Sequence, residues 1–285
     1  NKPLWDGVGV NPNSWDNILK GGRLIKKKHN VPVGIGLSAE LDTAMAIRAL
    51  MYANGSHEQN EHGDLTLKSK ETLAVLKYMK ALYKDAMTPE VLSWDPSSNN
   101  RAMLAGQISL ALNAISITRT AEDKKMPIGK DIWLNKAAKG HKRQMGLEHV
   151  MSVYTIWSFA QNVEGAKKFL VDLVDNYGKA FEASEFYNFP SFTKTVPDLH
   201  KEIENDPRAD PPNKYAVLGD SLKWATNVGY PGYANAAIGE AWNGWILNTM
   251  FAKAATDQAT PEAALEEANE ACKRIWAKWK EKGMI

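Results

Sequence analysis

The run Val31-Pro32-Val33-Gly34-Ile35-Gly36-Leu37-Ser38, continued by Ala39-Glu40-Leu41-Asp42-Thr43-Ala44-Met45-Ala46-Ile47-Arg48-Ala49-Leu50-Met51-Tyr52, decides how the chain is read. Residues 31–35 are short and β-branched, and Pro32 suits the start of a buried strand because proline cannot donate within a ladder. Gly34-Ile35-Gly36 then leads into a segment where Leu41, Ala44, Met45, Arg48, Ala49 and Tyr52 keep helical spacing until Gly55. Strand, loop and helix in that order make the unit from which α/β folds are assembled.

Working outward, Asn13 or Ser14 caps an upstream helix that buries Trp15, Ile18, Leu19 and Gly22 and ends near His29, with Asp16 favoured by the positive helix start. Residues 54–64 carry His57, Glu58, Glu61 and His62 and read as a surface turn or short hairpin. Ser69 caps a helix whose Thr72, Val75, Leu76, Met79, Leu82 and Tyr83 recur at helical period. A Pro, Ser and Asn-rich loop over 87–100 holds Trp94. Residues 100–105 form a short helix that Gly106 ends, and 108–117 read as a strand with Leu110 and Leu112 on one face. Residues 129–143 are basic and predict a mobile or surface excursion. A further strand is expected over 149–160, with Met151, Val153, Thr155, Trp157 and Phe159 on one side.

Helices are expected over 165–177, 179–187, 199–205, 214–226, 234–255 and 260–280. The last has Thr260 as cap, Pro261 at its first position and an apolar stripe of Leu265, Ala268, Cys272, Ile275, Trp276 and Trp279, which makes Cys272 a core residue. Three or four strands against about eight helices is a low strand count for an α/β chain. Either the sheet is small or strands are missing.

Composition removes several function classes. The chain has 285 residues, with 35 Lys+Arg against 33 Asp+Glu, a formal net charge of +2 and no concentrated basic face, so nucleic acid is not expected as a partner. At 44% hydrophobic residues it can build a real core. One cysteine excludes an intrachain disulfide. No apolar run approaches the roughly 20 residues that cross a bilayer. The first residue is Asn rather than Met, which points to a processed or truncated chain.

The histidines match no zinc spacing, so no metal is expected. There is no nucleophile elbow, no complete dinucleotide loop and no phosphate loop, so no cofactor is expected either. Paired carboxylates act at spatial separations, which keeps a carbohydrate-active hydrolase using Asp42, Asp95 or Glu240 as an alternative. A helical adaptor without any small-molecule site is a third reading. Against these stand three loops that gather polar groups and rings: Trp94-Asp95-Pro96-Ser97-Ser98-Asn99-Asn100, Phe186-Tyr187-Asn188-Phe189-Pro190 and Gly229-Tyr230-Pro231-Gly232-Tyr233. Sugars present hydroxyl edges and C–H faces, so a sugar site needs hydrogen-bonding groups beside rings. The same loops serve equally as turns whose rings anchor them to the core.

Read in order, Asn11-Pro12-Asn13-Ser14-Trp15-Asp16-Asn17-Ile18-Leu19, Val31-Pro32-Val33-Gly34, residues 69–83 and Asn100-Arg101-Ala102-Met103-Leu104-Ala105-Gly106 resemble the extracellular solute-binding proteins of ABC importers, in their maltose- and sugar-binding branch. The resemblance continues through Glu164-Gly165-Ala166-Lys167-Lys168-Phe169-Leu170, Tyr187-Asn188-Phe189-Pro190, Gly229-Tyr230-Pro231-Gly232, Met250-Phe251-Ala252-Lys253-Ala254-Ala255 and Thr260-Pro261-Glu262.

That resemblance implies an α/β, two-lobe, type II periplasmic-binding-protein fold, helix-rich and with its first lobe incomplete. It assigns 11–118 to the C-terminal lobe, 149–190 to a returning segment of the N-terminal lobe and 191–285 to the closing helices of the C-terminal lobe. A separate N-terminal fragment is one source of the remainder. The implied function is capture of a sugar or related solute by lobe closure and delivery to a membrane permease, without a covalent step. The implied location is periplasmic or extracellular, after a signal or lipoprotein leader. Carried over residue by residue, the ligand-binding positions are Asp42, Thr43, Trp94, Asn113, Ser116, Arg119, Tyr187, Asn188, Tyr230 and Gly232. Arg119 departs from the aromatic version of its segment in maltose binders. It is expected at a strand end near the hinge, where its fork suits a carboxylate or phosphate as well as a hydroxyl pair. Trp94 and Tyr230 are expected to stack on the sugar.

Overall fold

Side-chain caps start several helices of this protein. Ser14 Oγ accepts from the Asn17 N–H at 3.2 Å, Ser69 Oγ from Thr72 N–H at 3.1 Å, Asn235 Oδ1 from Ile238 N–H at 2.9 Å and Thr260 Oγ1 from Ala263 N–H at 3.1 Å. Each satisfies a donor that the first turn leaves without a partner, an effect of about 1 kcal/mol per cap. The structure is a computed structural model that describes residues 1–147 and 153–285. Its helices are α1 (Lys2–Asp6), α2 (Trp15–His29), α3 (Leu41–Ala53), α4 (Lys70–Ala86), α5 (Ser98–Leu104), α6 (Ser116–Asp123), α7 (Val163–Asp175), α8 (Tyr177–Ala183), α9 (Leu199–Glu204), α10 (Ala236–Asn243), α11 (Ile246–Ala255) and α12 (Pro261–Glu281). The described strands are β1 (Gly146–Leu147) and β2 (Ala225–Thr226), which pair in parallel.

The main core joins both ends of the sequence. Ile18 and Ile25 of α2, Ile47 and Leu50 of α3, Leu76 and Met79 of α4, Leu247 and Phe251 of α11, and Leu265 and Cys272 of α12 form one buried cluster. Helix α11 sits at its centre, against α3, α4 and α12. Burial pushes the Cys272 thiol up to about 12, in keeping with the core position expected from the α12 stripe. A second cluster gathers Ile115, Phe181, Phe186, Val196, Ile203 and Tyr215 around α8 and α9. A third joins Met103 of α5, Ile117 of α6, Ile108 and Ile132.

The expected strand over 108–117 is not one. Residues 108–111 are extended and hydrogen-bond to 32–34, with Ser109 N–H donating to Pro32 O and Gly34 N–H to Leu110 O, both at 2.8 Å, but only Gly34 and Ala111 make a bridge. Pro32 has no N–H to extend the ladder, and the chain turns into α6 at Ser116. In the expected strand over 149–160, residues 149–152 lie outside the described residues, and 153–160 are irregular.

Four other expectations are corrected. Residues 214–226 form 3-10 turns and β2 rather than one helix. The expected helix over 234–255 breaks at Gly244 and Trp245, where Trp245 takes a left-handed φ of 52°. Residues 54–64 do carry an antiparallel bridge between Gln59 and Leu65, yet Glu58 and Gln59 are fully buried rather than at the surface. Residues 129–143 are tied down, because Lys139 bridges Ser14 and Gln144. Helix α7 buries none of its residues, and Tyr154, Trp157, Phe159, Phe169 and Val171 are all exposed.

Candidate functional site

Polar side chains from three helix starts converge on a cleft of about 220 Å³ lined by Leu41, Asp42, Met45, Pro96, Ser97, Asn100, Asn113, Ala114, Ser116 and Tyr187. Asp42 stands in the first turn of α3, held there by the buried Glu40. The Asp42 N–H donates to Glu40 Oε2 at 2.7 Å and the Thr43 N–H to Glu40 Oε1 at 2.5 Å. Burial pushes the Glu40 carboxyl up, against the bonds from Thr43 and Asp42 that favour its charged form. Gly36 makes room for this cap, since a Cβ there would lie 2.4 Å from Thr43 Oγ1 and 2.7 Å from Glu40 Oε1.

The opposite wall is a closed ring of amides and a hydroxyl. Asn113 Nδ2 donates to Asn100 Oδ1 at 2.6 Å, Asn100 Nδ2 to Ser116 Oγ at 3.0 Å, and Ser116 Oγ back to Asn113 Oδ1 at 3.3 Å. Asn113 Nδ2 also donates to Asn99 Oδ1 at 3.0 Å, and Asn99 Nδ2 donates to Asp42 Oδ2 at 2.6 Å. A carboxylate only accepts, so Asp42 fixes the orientation of the Asn99 amide, and Asn99 fixes Asn113 in turn. The wall is set before any ligand arrives.

Four of the ten expected site residues, Asp42, Asn113, Ser116 and Tyr187, are therefore brought together. Asn188 is exposed beside Tyr187, its N–H donating to Ser184 Oγ at 3.0 Å and its carbonyl accepting from Tyr177 at 3.2 Å. Thr43 is fully buried behind the start of α3. The half-buried Trp94 packs against the main and third clusters and over Gly34, and its carbonyl accepts from Ser38 Oγ at 2.6 Å. The Tyr230 ring lies 5.7 Å from Tyr52 and 5.6 Å from His57, with the Arg143 guanidinium 5.3 Å over it. Gly232 packs on Gln59, which donates to the carbonyls of Gly229 and Tyr233 at 2.8 and 2.9 Å. The 229–233 loop is thus a fixture of the main core, away from the cleft lining.

Arg119 is corrected most sharply. It lies in α6 rather than at a strand end, is 5% exposed, and meets Asp206 at 2.7 Å and Glu122 at 3.1 Å, with its guanidinium 3.9 Å over Tyr215. Lys214 completes the cluster by donating to the Gly129 carbonyl at 2.8 Å. Burial works to raise the Asp206 carboxyl, but the Arg208 N–H groups and Arg119 hold it below the usual range. Sequence reasoning missed Asn99 and Asn100 as site residues, although both stood in a loop already marked as polar and aromatic.

Two of the three carboxylates of the hydrolase alternative, Asp95 and Glu240, do not suit a general acid. Glycoside hydrolysis needs one carboxyl kept protonated as general acid. The Arg101 and Ser98 hydrogen bonds hold Asp95 below its ordinary value, and the Lys278 and Trp279 hydrogen bonds do the same for Glu240 on α10. Among the described residues no group of three His, Cys, Asp or Glu gathers as a metal site would require.

Three solved structures share this fold. A sugar transporter from Arthrobacter chlorophenolicus A6 with bound laminaribiose is 16% identical, with a TM-score of 0.71, and the match covers 96% of this chain and 68% of that one. A maltose-bound protein of T. maritima is 18% identical, with a TM-score of 0.74 and the same two coverages, 96% and 68%. The sugar-binding protein MalE of Xanthomonas citri is 14% identical, with a TM-score of 0.72 over 98% of this chain and 68% of its own. At such identities these likenesses establish the periplasmic-binding-protein fold, here helix-rich with little described sheet. No curated protein matches by sequence. No helix among the described residues is long and apolar enough to cross a membrane. The sequence pattern of the bacterial extracellular solute-binding proteins matches residues 1–173, more than half of the molecule, and the chain belongs to that family of binders rather than to an enzyme family.

Proposed function

We propose that this protein is the capturing component of an ABC importer, which takes up a sugar or related polyhydroxylated solute at the Asp42–Asn113–Ser116 cleft and delivers it to a membrane permease from the periplasmic or extracellular side. The observation that carries this reading is the ring of Asn100, Asn113 and Ser116, oriented through Asn99 by Asp42, in a cleft of about 220 Å³. Hydroxyl groups need donors and acceptors held at fixed angles, and a wall ordered in advance spares the entropy of ordering it on binding. Fold relatives with laminaribiose and maltose bound support the solute class.

In this reading segments 11–118 and 191–285 form one lobe and 149–190 belongs to the other. Tyr187 reaches a cleft otherwise lined from 41–116, which supports closure of one lobe on the other around the solute. No bond is made or broken, and release follows reopening at the permease.

Isothermal titration of the purified chain with maltose and laminaribiose tests the reading, with tryptophan fluorescence as a second signal. Asn113→Ala removes the two hydrogen bonds that Asn113 donates to the wall and the one it accepts from Ser116, and is expected to weaken binding about tenfold or more, equivalent to about 1.4 kcal/mol. Unchanged affinity in that variant, or conversion of the sugar, counts against the proposal.

A further inference from the structure

We propose that Phe186, gripped by the Arg119–Asp206–Arg208 charge cluster, is a positioning residue that registers Tyr187 against the amide wall of the cleft. This rests on the cleft being the solute site. Tyr187 lines the cleft yet is 44% exposed, so packing of its own ring does not alone fix where it stands. Its neighbours in the chain do. Phe186 and Phe189, which flank Tyr187-Asn188, are anchored on one fully buried ring: Phe186 stacks on Phe181 at 4.9 Å, and Phe189 meets it edge-on at 5.4 Å. The backbone stitches the turn between them. Phe186 N–H donates to the Phe181 carbonyl and Tyr187 N–H to the Ser184 carbonyl, both at 3.0 Å. Glu185 and Phe186 both take a left-handed φ, of 56° and 60°. Two consecutive non-glycine residues keep that conformation only where their surroundings over-determine it, and such strain collects at binding sites.

A charge cluster supplies that constraint. The Arg208 guanidinium lies 4.6 Å from the centre of the Phe186 ring, and that of Arg119 lies 6.0 Å from it. The fully buried Asp206 holds both arginines: its Oδ1 accepts from Arg208 Nε at 3.1 Å, and its Oδ2 lies 2.7 Å from Arg119 Nη1. A guanidinium fixed by a carboxylate is attracted to a ring face and in turn holds the ring in place. Arg119 lies on α6, three residues after Ser116. The same cluster therefore carries one member of the amide ring and, through Phe186, the tyrosine of the same cleft. Their register is set before the solute arrives, which spares part of the ordering cost of binding. Arg119, expected from the sequence to touch the solute, acts on it at one remove.

The test is a double-mutant cycle on the whole chain, read as maltose and laminaribiose affinity by titration calorimetry, with Tm measured beside it. Phe186→Leu removes the ring that the arginines face and keeps an apolar side chain. It is expected to weaken binding about fivefold or more when Tyr187 is present and less than about twofold in a Tyr187→Ala background, because the loss travels through Tyr187. Arg208→Met changes a side chain that is 35% exposed and guards against the leucine variant failing to fold. It is expected to show the same dependence on Tyr187 with a loss of about threefold. A purely structural role predicts a lower Tm with an affinity loss that is equal in both backgrounds or absent, and either result overturns the inference while leaving capture intact. A Tyr187→Ala variant that binds as tightly as the wild type overturns it too. Binding of neither sugar by the wild type overturns the capture reading itself, and this inference with it.

Discussion

Replacing Glu58 by Gln keeps the shape of a buried side chain and removes its charge. Arg48 and Glu58 have side chains 1% and 0% exposed. Arg48 Nε and Nη2 donate to Glu58 at 3.1 and 2.5 Å, and the Tyr52 hydroxyl donates to the same carboxylate at 3.0 Å. Burial and the neighbouring Glu58 push the Tyr52 phenol well up, so it remains a donor at any physiological pH. In Glu58→Gln the amide NH₂ faces guanidinium N–H groups, and the buried Arg48 charge loses its counter-ion. Breaking such a pair costs about 3–5 kcal/mol. The Ala44 carbonyl at 3.1 Å and the Trp242 ring, 4.3 Å from the guanidinium, still stabilise the cation. Cation–π contacts of this kind contribute about 1–2 kcal/mol, which leaves a net loss of about 1–4 kcal/mol. At about 2–4 °C per kcal/mol for a chain of this size, Tm should fall by about 2–16 °C. The Gly229 N–H donates to Tyr52 at 3.2 Å, so the 229–233 loop should loosen as well. Differential scanning calorimetry on Glu58→Gln, Arg48→Met and the double variant gives the measurement. The double variant should recover part of the loss, because it leaves no unpaired charge. A loss below about 1 kcal/mol in Glu58→Gln, or a double variant equal to the sum of the singles, would refute the reasoning.

Two further outcomes are expected. Trp94→Ala should lower Tm by about 4–8 °C, from about 2 kcal/mol lost at a half-buried indole, while maltose or laminaribiose affinity changes less than threefold; calorimetry and titration on the same preparation separate these, and a large affinity loss at constant Tm would restore the stacking role expected from its loop. Burial, aided by Arg143, lowers the His57 pKa below 6.5, so the unfolded chain takes up the proton first and stability falls as pH drops from about 6.5 through the folded value. Tm measured at about pH 7.5 and 5.5 should drop more in the wild type than in His57→Phe, which keeps a ring against Tyr52 and Tyr230.

Much of this protein was legible in its sequence where the signal is local. Ser14, Ser69 and Thr260 cap because an N-cap oxygen reaches an N–H two or three residues ahead, and the α12 stripe ending in Trp276 and Trp279 follows from 3.6 residues per turn. Asp42, Asn113, Ser116 and Tyr187 were named in advance, but as separate positions carried by resemblance. Only the folded chain turns them into a wall, because the bonds from Asp42 to Asn99 and from Asn100 to Ser116 join residues far apart in sequence and depend on α3, α5 and α6 meeting. The misread elements fail for the same physical reason. Alternating apolar residues over 108–117 describe an extended chain equally well whether a neighbour completes its ladder or, as here, Pro32 ends it. In a linear sequence Glu58 reads as a solvent-facing charge and Arg119 as one open to a ligand near the hinge; burial of a charge is decided by whether an opposite charge from elsewhere is delivered to it. Arg48 does so for Glu58, and Asp206 with Glu122 does so for Arg119. The sequence by itself determined the long capped helices α2, α3, α4 and α12 and the family resemblance; the tertiary structure decided where the later helices break, which polar residues pair within the core and which are left facing the cleft.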